Sequence, residues 1–215
     1  MNNRNTISTG NKSVWLIGGI AALIAVAAIV AVASQSGSDE VVAGIEEFGD
    51  VLVEGKSLPA FTTGQTDKAV GMTAPVLTGR GFTGNRIVTS PGAPTLLVFL
   101  AHWCPHCQRE VPLLVQWKRD GLVPDGLDVI AITTSTDPAS PNFPPSEWLA
   151  REEFPALWPV MTDSGEKTAA NAMGVSGFPF FVLVDAEGKV ALRLSGEIEM
   201  SALTEQINGA LGTQN

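Results

Sequence analysis

The sequence predicts an α/β protein with a mixed central sheet and helices on both faces, preceded by one N-terminal transmembrane helix. Three observations support this fold class. Residues 14–33 form a run of 20 residues without a charged side chain. Residues 94–101 are continuously apolar, and residues 127–135 predict a second strand of the same buried type. Helical patterns separate most of the predicted strands, which favours a mixed sheet covered by helices.

The charge-free run, VWLIGGIAALIAVAAIVAVA, is long enough to cross a bilayer, because 20 helical residues span about 30 Å. Arg4 and Lys12 precede it, and the first charges after it are acidic. The positive-inside rule therefore places residues 1–13 in the cytoplasm and residues 14–33 in the cell membrane as a single-pass anchor. Everything after residue 34 is predicted to be extracytoplasmic.

A cleaved signal peptide is the alternative interpretation of this segment. The sequence AVA at residues 31–33 would suit a signal peptidase, but the apolar run is longer than the usual 7 to 15 residues of such a leader. We predict the uncleaved anchor. Both interpretations export the rest of the chain.

The exported part of the chain is strongly acidic. The chain has 13 Lys and Arg and 22 Asp and Glu, and only Arg4 and Lys12 precede residue 34, so the remainder carries a net charge of −11. This charge argues against nucleic acid as a partner.

The folded domain is predicted at residues 70–215, after an extracytoplasmic linker at residues 34–69. The linker carries seven acids against two lysines and shows little sustained periodicity. Within it, VLVEGKSLPAF could add a short strand or lie on the surface of the domain.

The elements of the domain follow from local patterns. A Gly-Asn turn signal between short apolar pieces predicts a hairpin at residues 82–88. Pro105 suits the first turn of a helix, Ser146 is a candidate N-cap, and Gly174 is expected to end a helix. Further strands are predicted at residues 94–101, 127–135, 158–163, 178–185 and 188–196, and helices at residues 105–118, 145–153, 166–174 and 201–211.

Both cysteines and both histidines of the chain lie in one stretch, FLAHWCPHCQREVP, at residues 99–112. Cys104 is predicted at the start of a helix, where unpaired N–H groups and the helix dipole favour a thiolate. Cys107 lies one turn later on the same side and can resolve a mixed disulfide. Because a bridge between them would close a very small loop, it would add little stability. A redox role without a cofactor is therefore favoured.

Neighbouring side chains are candidates to tune this dithiol. His106 can place positive charge or a hydrogen bond beside the Cys104 thiolate, which would make the disulfide more oxidising. Pro105 permits the tight turn because no N–H is required there. His102 is either a tuning group or a loop residue, and Trp103 is interpreted as a packing residue or a rim contact for substrates.

A metal site is the alternative use of the same stretch. His102, Cys104, His106 and Cys107 fall within six residues, whereas zinc sites take ligand pairs from separated segments. We predict no metal ligands. A copper-handling binding module on the same fold is the alternative of a different class, although the chain has no further cysteine or histidine to complete such a site.

These residues carry a resemblance to a known family. VGMTAP, PTLLVFLAHWCPHCQREVP, WPVMTD and GVSGFPFFVLVDAEGKV, taken in order, resemble the membrane-anchored thioredoxin-like proteins of the TlpA/ResA/DsbE branch, which are extracytoplasmic thiol-disulfide oxidoreductases. The resemblance covers about residues 70–212. It implies the thioredoxin fold and protein thiols or disulfides as substrates.

The resemblance also implies roles for individual residues. Cys104 would be the attacking thiol and Cys107 the resolving thiol. Pro179 matches a cis-proline that faces the disulfide, and Phe178 before it would offer its backbone to an extended substrate. Glu110 matches a glutamate that could exchange a proton with Cys107; from the residues alone, it could equally be a surface side chain. Thioredoxin itself has a buried aspartate where this chain has Val98.

The direction of electron flow is left open by these features. The family branch and Glu110 imply a reductase fed by an integral membrane thiol-electron carrier. The Pro-His pair between the cysteines is that of the oxidase DsbA, and it implies an oxidase recharged by a quinone-linked membrane partner. We predict the reductase and an intermediate redox potential.

Overall fold

A computed structural model of the chain describes residues 45–212. The predicted anchor at residues 14–33 lies outside the described residues. Among the helices of residues 45–212, none combines the length and the apolar character that a membrane span requires.

The part of the chain that the structure describes contains eight strands and four helices. The strands are β1 (Leu52–Glu54), β2 (Val76–Arg80), β3 (Arg86–Val88), β4 (Thr95–Leu100), β5 (Asp128–Thr133), β6 (Val160–Thr162), β7 (Phe180–Val184) and β8 (Val190–Ser195). The helices are α1 (Pro105–Arg119), α2 (Pro145–Arg151), α3 (Thr168–Ala172) and α4 (Met200–Leu211).

Five of the strands form a mixed sheet in the order β6-β5-β4-β7-β8. The β4, β5 and β6 strands are parallel, while β7 pairs antiparallel with both β4 and β8. In the central strand, Leu97 pairs with Ile130 on one side and with Val182 on the other. The mixed sheet predicted from the sequence is therefore confirmed.

The sheet separates two apolar cores because successive side chains of a strand point to opposite faces. Every residue of β4 is buried. Leu96 and Val98 belong to the core that includes residues of α1, α2 and α4, whereas Leu97 and Phe99 belong to the core that includes α3. Each fully buried Leu or Phe contributes about 1.5–3 kcal/mol. Helices thus cover both faces, as predicted.

A second, antiparallel sheet has the strand order β1-β2-β3. The hairpin predicted at residues 82–88 is present, but its first strand, β2, lies earlier, at Val76–Arg80; Gly81 N–H closes the turn by donating to Asn85 O at 2.9 Å. Its apolar side chains, Leu77 and Ile87, join the core on the α3 face.

Residues 45–69, predicted as part of the linker, pack on the domain instead. β1 pairs with β2, Leu58 is buried, and the Phe61 ring packs edge-on against Phe180 with centroids 5.4 Å apart. Arg193, with a fully buried side chain, binds Asp67 through two hydrogen bonds of 2.5 and 2.9 Å. The short strand in VLVEGKSLPAF was one of the two predicted alternatives, but the packing of Leu58 and Phe61 was not predicted, because these apolar residues are isolated and follow no period.

The expected cap of α2 is also corrected. Pro144, not Ser146, occupies the N-cap position, and it follows Phe143 through a cis peptide bond. The Ser146 hydroxyl and N–H both donate to the Glu47 carboxylate, the N–H at 3.1 Å. A carboxylate from the upstream segment therefore satisfies the start of this helix, where negative charge is favourable.

Candidate active site

The dithiol lies where β4 passes into α1. Cys104 is the N-cap of α1, with extended backbone angles of φ −75° and ψ 119°, and Pro105 is the first helical residue. The Cys104 N–H donates to Ala101 O at 3.0 Å, which closes the turn between strand and helix. Cys104 therefore lies beside the free N–H groups of a 15-residue helix, where an anion is stabilised.

The two thiols are reduced and have different environments. Cys104 is 7% exposed, and its Sγ lies 3.7 Å from Phe178 O as a weak donor. Cys107 is fully buried, and its Sγ accepts from Ala101 N–H at 3.4 Å. Burial raises the pKa of Cys107, and the nearby charges of Cys104 and Glu110 raise it further. This asymmetry suits Cys104 as the attacking thiol and Cys107 as the resolving thiol.

The segment that faces Cys104 is formed by Phe178 and Pro179. The peptide bond between them is cis, as the resemblance implied. The Phe178 ring packs edge-on against Trp103, with centroids 6.2 Å apart. Trp103 is 36% exposed, and its Nε1 donates to Ser135 O at 2.7 Å. These residues form an apolar rim beside the dithiol.

Glu110 is fully buried, which excludes the surface interpretation. Its Oε2 accepts from Ile198 N–H at 3.3 Å, while its Oε1 has no hydrogen-bond partner. Burial raises the pKa of Glu110 to about 7, and the charges of Glu197 and Glu199 act in the same direction. A carboxyl that changes its protonation near neutral pH can exchange a proton with a nearby thiol. Val98, which stands where thioredoxin has a buried aspartate, is an apolar residue of β4. The buried carboxyl of this site is therefore that of Glu110 on α1.

His106 projects from the first turn of α1 and is largely exposed. Its Nδ1 lies 2.5 Å from Glu197 Oε1 and 2.9 Å from Nη2 of Arg109. Arg109 also donates to both carboxylate oxygens of Glu197, with contacts between 2.5 and 3.1 Å. Sequence reasoning found neither Glu197 nor Arg109. Arg109 was detectable as a cation one turn after His106, but Glu197 is 91 residues away and carries no local signal.

His102 is buried and belongs to the adjoining loop. Its ring nitrogens contact Pro141 O at 2.7 Å and the Asp137 N–H at 3.1 Å. Because Nε2 accepts from an N–H, Nδ1 must be the nitrogen that donates to the carbonyl. Both nitrogens are therefore engaged in holding the loop. Within residues 45–212, no group of three or more Cys, His, Asp or Glu side chains is placed to hold a metal ion.

Comparison with known proteins agrees with this geometry. A family model described as Redoxin matches residues 54–206. Thiol-disulfide oxidoreductase ResA of Geobacillus thermodenitrificans is 27% identical over 153 residues, which cover 68% of this chain and 81% of that protein. Thiol:disulfide interchange protein HelX of Rhodobacter capsulatus is 26% identical over 120 residues, which cover 56% of this chain and 62% of that protein.

Solved structures are also similar to this chain. A DsbE-type thiol:disulfide interchange protein from Chlorobium tepidum superposes with a TM-score of 0.55 at 30% identity, over 66% of this chain and 98% of that one. StoA from Bacillus subtilis has a TM-score of 0.50 at 19% identity, over 64% of this chain and 98% of that one, and supports the fold alone.

Proposed function

The chain belongs to the Redoxin family and is a thiol-disulfide oxidoreductase, and we propose that it reduces disulfides of other proteins outside the cytoplasm. The observation that carries the proposal is the pair of unequal thiols at the start of α1. Cys104 is the less buried of the two and faces the Phe178–Pro179 segment, while Cys107 has no exposed surface.

The proposed reaction has two exchange steps. The Cys104 thiolate attacks one sulfur of a substrate disulfide, forms a mixed disulfide and releases the other substrate sulfur as a thiolate. Cys107 then loses its proton and attacks Sγ of Cys104, which releases the second substrate thiolate. Two electrons pass to the substrate, and the enzyme is left with the Cys104–Cys107 disulfide.

Glu110 is the proposed acceptor of the Cys107 proton. It lies one helical turn after Cys107, and its charge acts on that thiol. Because the pKa of Glu110 is about 7, the carboxyl can take up the proton when Cys107 attacks and return it when the disulfide is reduced again. An integral membrane thiol-electron carrier is the proposed source of those electrons.

The reverse direction, oxidation of substrate dithiols, is the second candidate because His106 lies between the cysteines. Its positive charge would stabilise the reduced form and make the disulfide more oxidising. In the structure, however, His106 contacts the Glu197 carboxylate, which offsets that charge. This contact supports the reductase. An oxidase would require a quinone-linked membrane partner in place of the electron carrier.

The test is capture of substrates. Cys107→Ser should accumulate mixed disulfides on Cys104, whereas the Cys104→Ser control should capture none. The wild-type protein should reduce insulin in the presence of dithiothreitol, and Cys104→Ser should not. If Cys104→Ser keeps the wild-type activity, the proposed reaction is wrong.

We also propose that residues 14–33 anchor the protein in the cell membrane with the domain outside. The length of the apolar run and the cations before it support this orientation. The full-length protein should stay in the membrane pellet after a high-salt wash, and externally added protease should reach the domain in spheroplasts. A soluble mature chain that begins near Ser34 would instead indicate a cleaved leader.

A further inference from the structure

We propose that Glu197 sets the redox potential of the Cys104–Cys107 couple by pairing with Arg109 and His106, the two basic side chains on the first turns of α1. This inference rests on the proposed function, because it concerns the same dithiol and favours its use as a reductant. Glu197 would be a tuning residue, since it reaches the thiols only through the charges it holds.

The geometry of the cluster is that of a shared counter-ion. Glu197 lies in the connection between β8 and α4, 88 residues after Arg109. Both of its carboxylate oxygens accept from Arg109, and Oε1 also contacts His106 Nδ1 at 2.5 Å. A carboxylate bound by a guanidinium at two oxygens is held in a defined orientation, unlike a typical surface ion pair. Accordingly, Arg109 and His106 both lower the pKa of Glu197, to about 2.

The position of the cluster matters because the Arg109 cation, and His106 when it is protonated, are near the reactive thiol. His106 is two residues after Cys104, and the charges of Arg109 and Cys104 interact. A cation near Cys104 stabilises the thiolate of the reduced form and leaves the neutral disulfide unaffected. It therefore raises the potential. A carboxylate held against both cations cancels part of this effect and makes the couple more reducing.

A second route from Glu197 to the thiols runs through Glu110. The charges of Glu197 and Glu199 both raise the pKa of Glu110, and Ile198 between them donates to that carboxyl. Removing the charge of Glu197 could thus act on Cys107 through Glu110 alone. Glu199 provides the matched control, because it shares this route and no ion pair joins it to Arg109 or His106 within residues 45–212.

The experiment measures the equilibrium of the full-length protein with glutathione buffers. Glu197→Gln should favour the reduced form about three- to tenfold relative to wild type; a tenfold change corresponds to about 30 mV. Glu199→Gln should change the equilibrium less than twofold. In a His106→Ala, Arg109→Gln background, adding Glu197→Gln should also have an effect below twofold, because the cations that it releases are absent.

Three results would overturn the proposal. The first is an unchanged glutathione equilibrium in Glu197→Gln. The second is a shift in Glu199→Gln as large as that in Glu197→Gln. The third is a full effect of Glu197→Gln in the His106→Ala, Arg109→Gln background. Thermal unfolding of the oxidised and reduced forms shows whether each variant is folded. Failure of the proposed function has a different signature: Cys104→Ser would keep the wild-type insulin reduction, or the wild-type potential would be as high as that of DsbA, whatever the Glu197 variants do.

Discussion

The backbone N–H of Ile198 donates to Oε2 of Glu110 across 3.3 Å, and it is the one hydrogen-bond donor to this carboxyl within the described residues. Ile198 lies between Glu197 and Glu199 in the connection from β8 to α4. A single loop therefore contacts the buried acid of the site and supplies the carboxylate that pairs with His106. The connection at residues 196–199 therefore affects both the charge around His106 and the protonation of Glu110.

Replacing Glu110 by Gln should stabilise the protein above neutral pH. The pKa of Glu110 is raised from 4.5 to about 7 in the folded state, so the unfolded chain binds fewer protons between these values and stability falls as the pH rises. Below pH 4.5 the carboxyl is neutral in both states. Between pH 4.5 and about pH 7, the free energy of unfolding of the wild type should fall by up to about 3 kcal/mol relative to that of Glu110→Gln.

Urea unfolding of the two reduced proteins from pH 4 to pH 8 measures this difference. Glu205→Gln, at an exposed position of α4, should follow the wild-type profile. A difference between wild type and Glu110→Gln that does not change with pH would contradict the raised pKa.

The same substitution should slow the resolving step of the reaction. Without the Glu110 carboxyl, the Cys107 proton loses its proposed acceptor, and positioned general bases contribute about 10²–10⁴-fold. In single-turnover reactions at pH 7, Glu110→Gln should form the mixed disulfide on Cys104 at nearly the wild-type rate and resolve it at least tenfold more slowly. Equal resolving rates would show that solvent takes the proton.

Asp67→Asn should destabilise the domain by about 3–5 kcal/mol, because it leaves a buried guanidinium without its counter-charge. The Arg193 side chain is fully buried, and its two other hydrogen bonds, to Pro59 O and Met173 O at 2.9 Å each, are to neutral carbonyls. Arg193 lowers the pKa of Asp67 below its usual value of 3.8. The ion pair therefore stabilises the wild type fully above pH 3.8, and this stabilisation is lost as the pH falls through the lowered pKa of Asp67.

Urea unfolding at pH 7 and limited proteolysis of residues 45–69 are the two measurements. Asp50→Asn removes an exposed acid from the same segment and should have little effect. If Asp67→Asn unfolds like the wild type, the Arg193 pair does not hold the segment to the domain.

Local patterns were sufficient to predict the sheet and its helices. The strand and helix periods are set by residues close in sequence, and the cysteine pair marks the start of α1 because its chemistry needs that position. At residues 45–69 the sequence predicted a linker with a possible short strand, and it did not predict the packing of the segment, because Leu58 and Phe61 contact partners that are distant in sequence.

The site was predicted less completely than the fold. The spacing from Cys107 to Glu110 placed the acid one turn away, but its burial depends on the β8–α4 connection packing over it. Glu197 had no signal at all, since an acid in a polar loop is common and its partners, His106 and Arg109, are about 90 residues earlier. Contacts of this kind arise from the fold and not from local sequence.

The wild-type dithiol should have a potential between those of thioredoxin, about −270 mV, and DsbA, about −120 mV. The gap between these values is about 7 kcal/mol for two electrons, which is more than one exposed histidine supplies in a screening solvent. The Glu197 carboxylate contacts both His106 and Arg109, so part of the positive charge that His106 carries when it is protonated is offset. His106→Ala should therefore lower the potential by no more than tens of millivolts. Titration of both proteins in glutathione buffers gives the two values. A wild-type potential as high as that of DsbA would contradict the reductase, and an unchanged potential in His106→Ala would remove the histidine from the tuning of the dithiol.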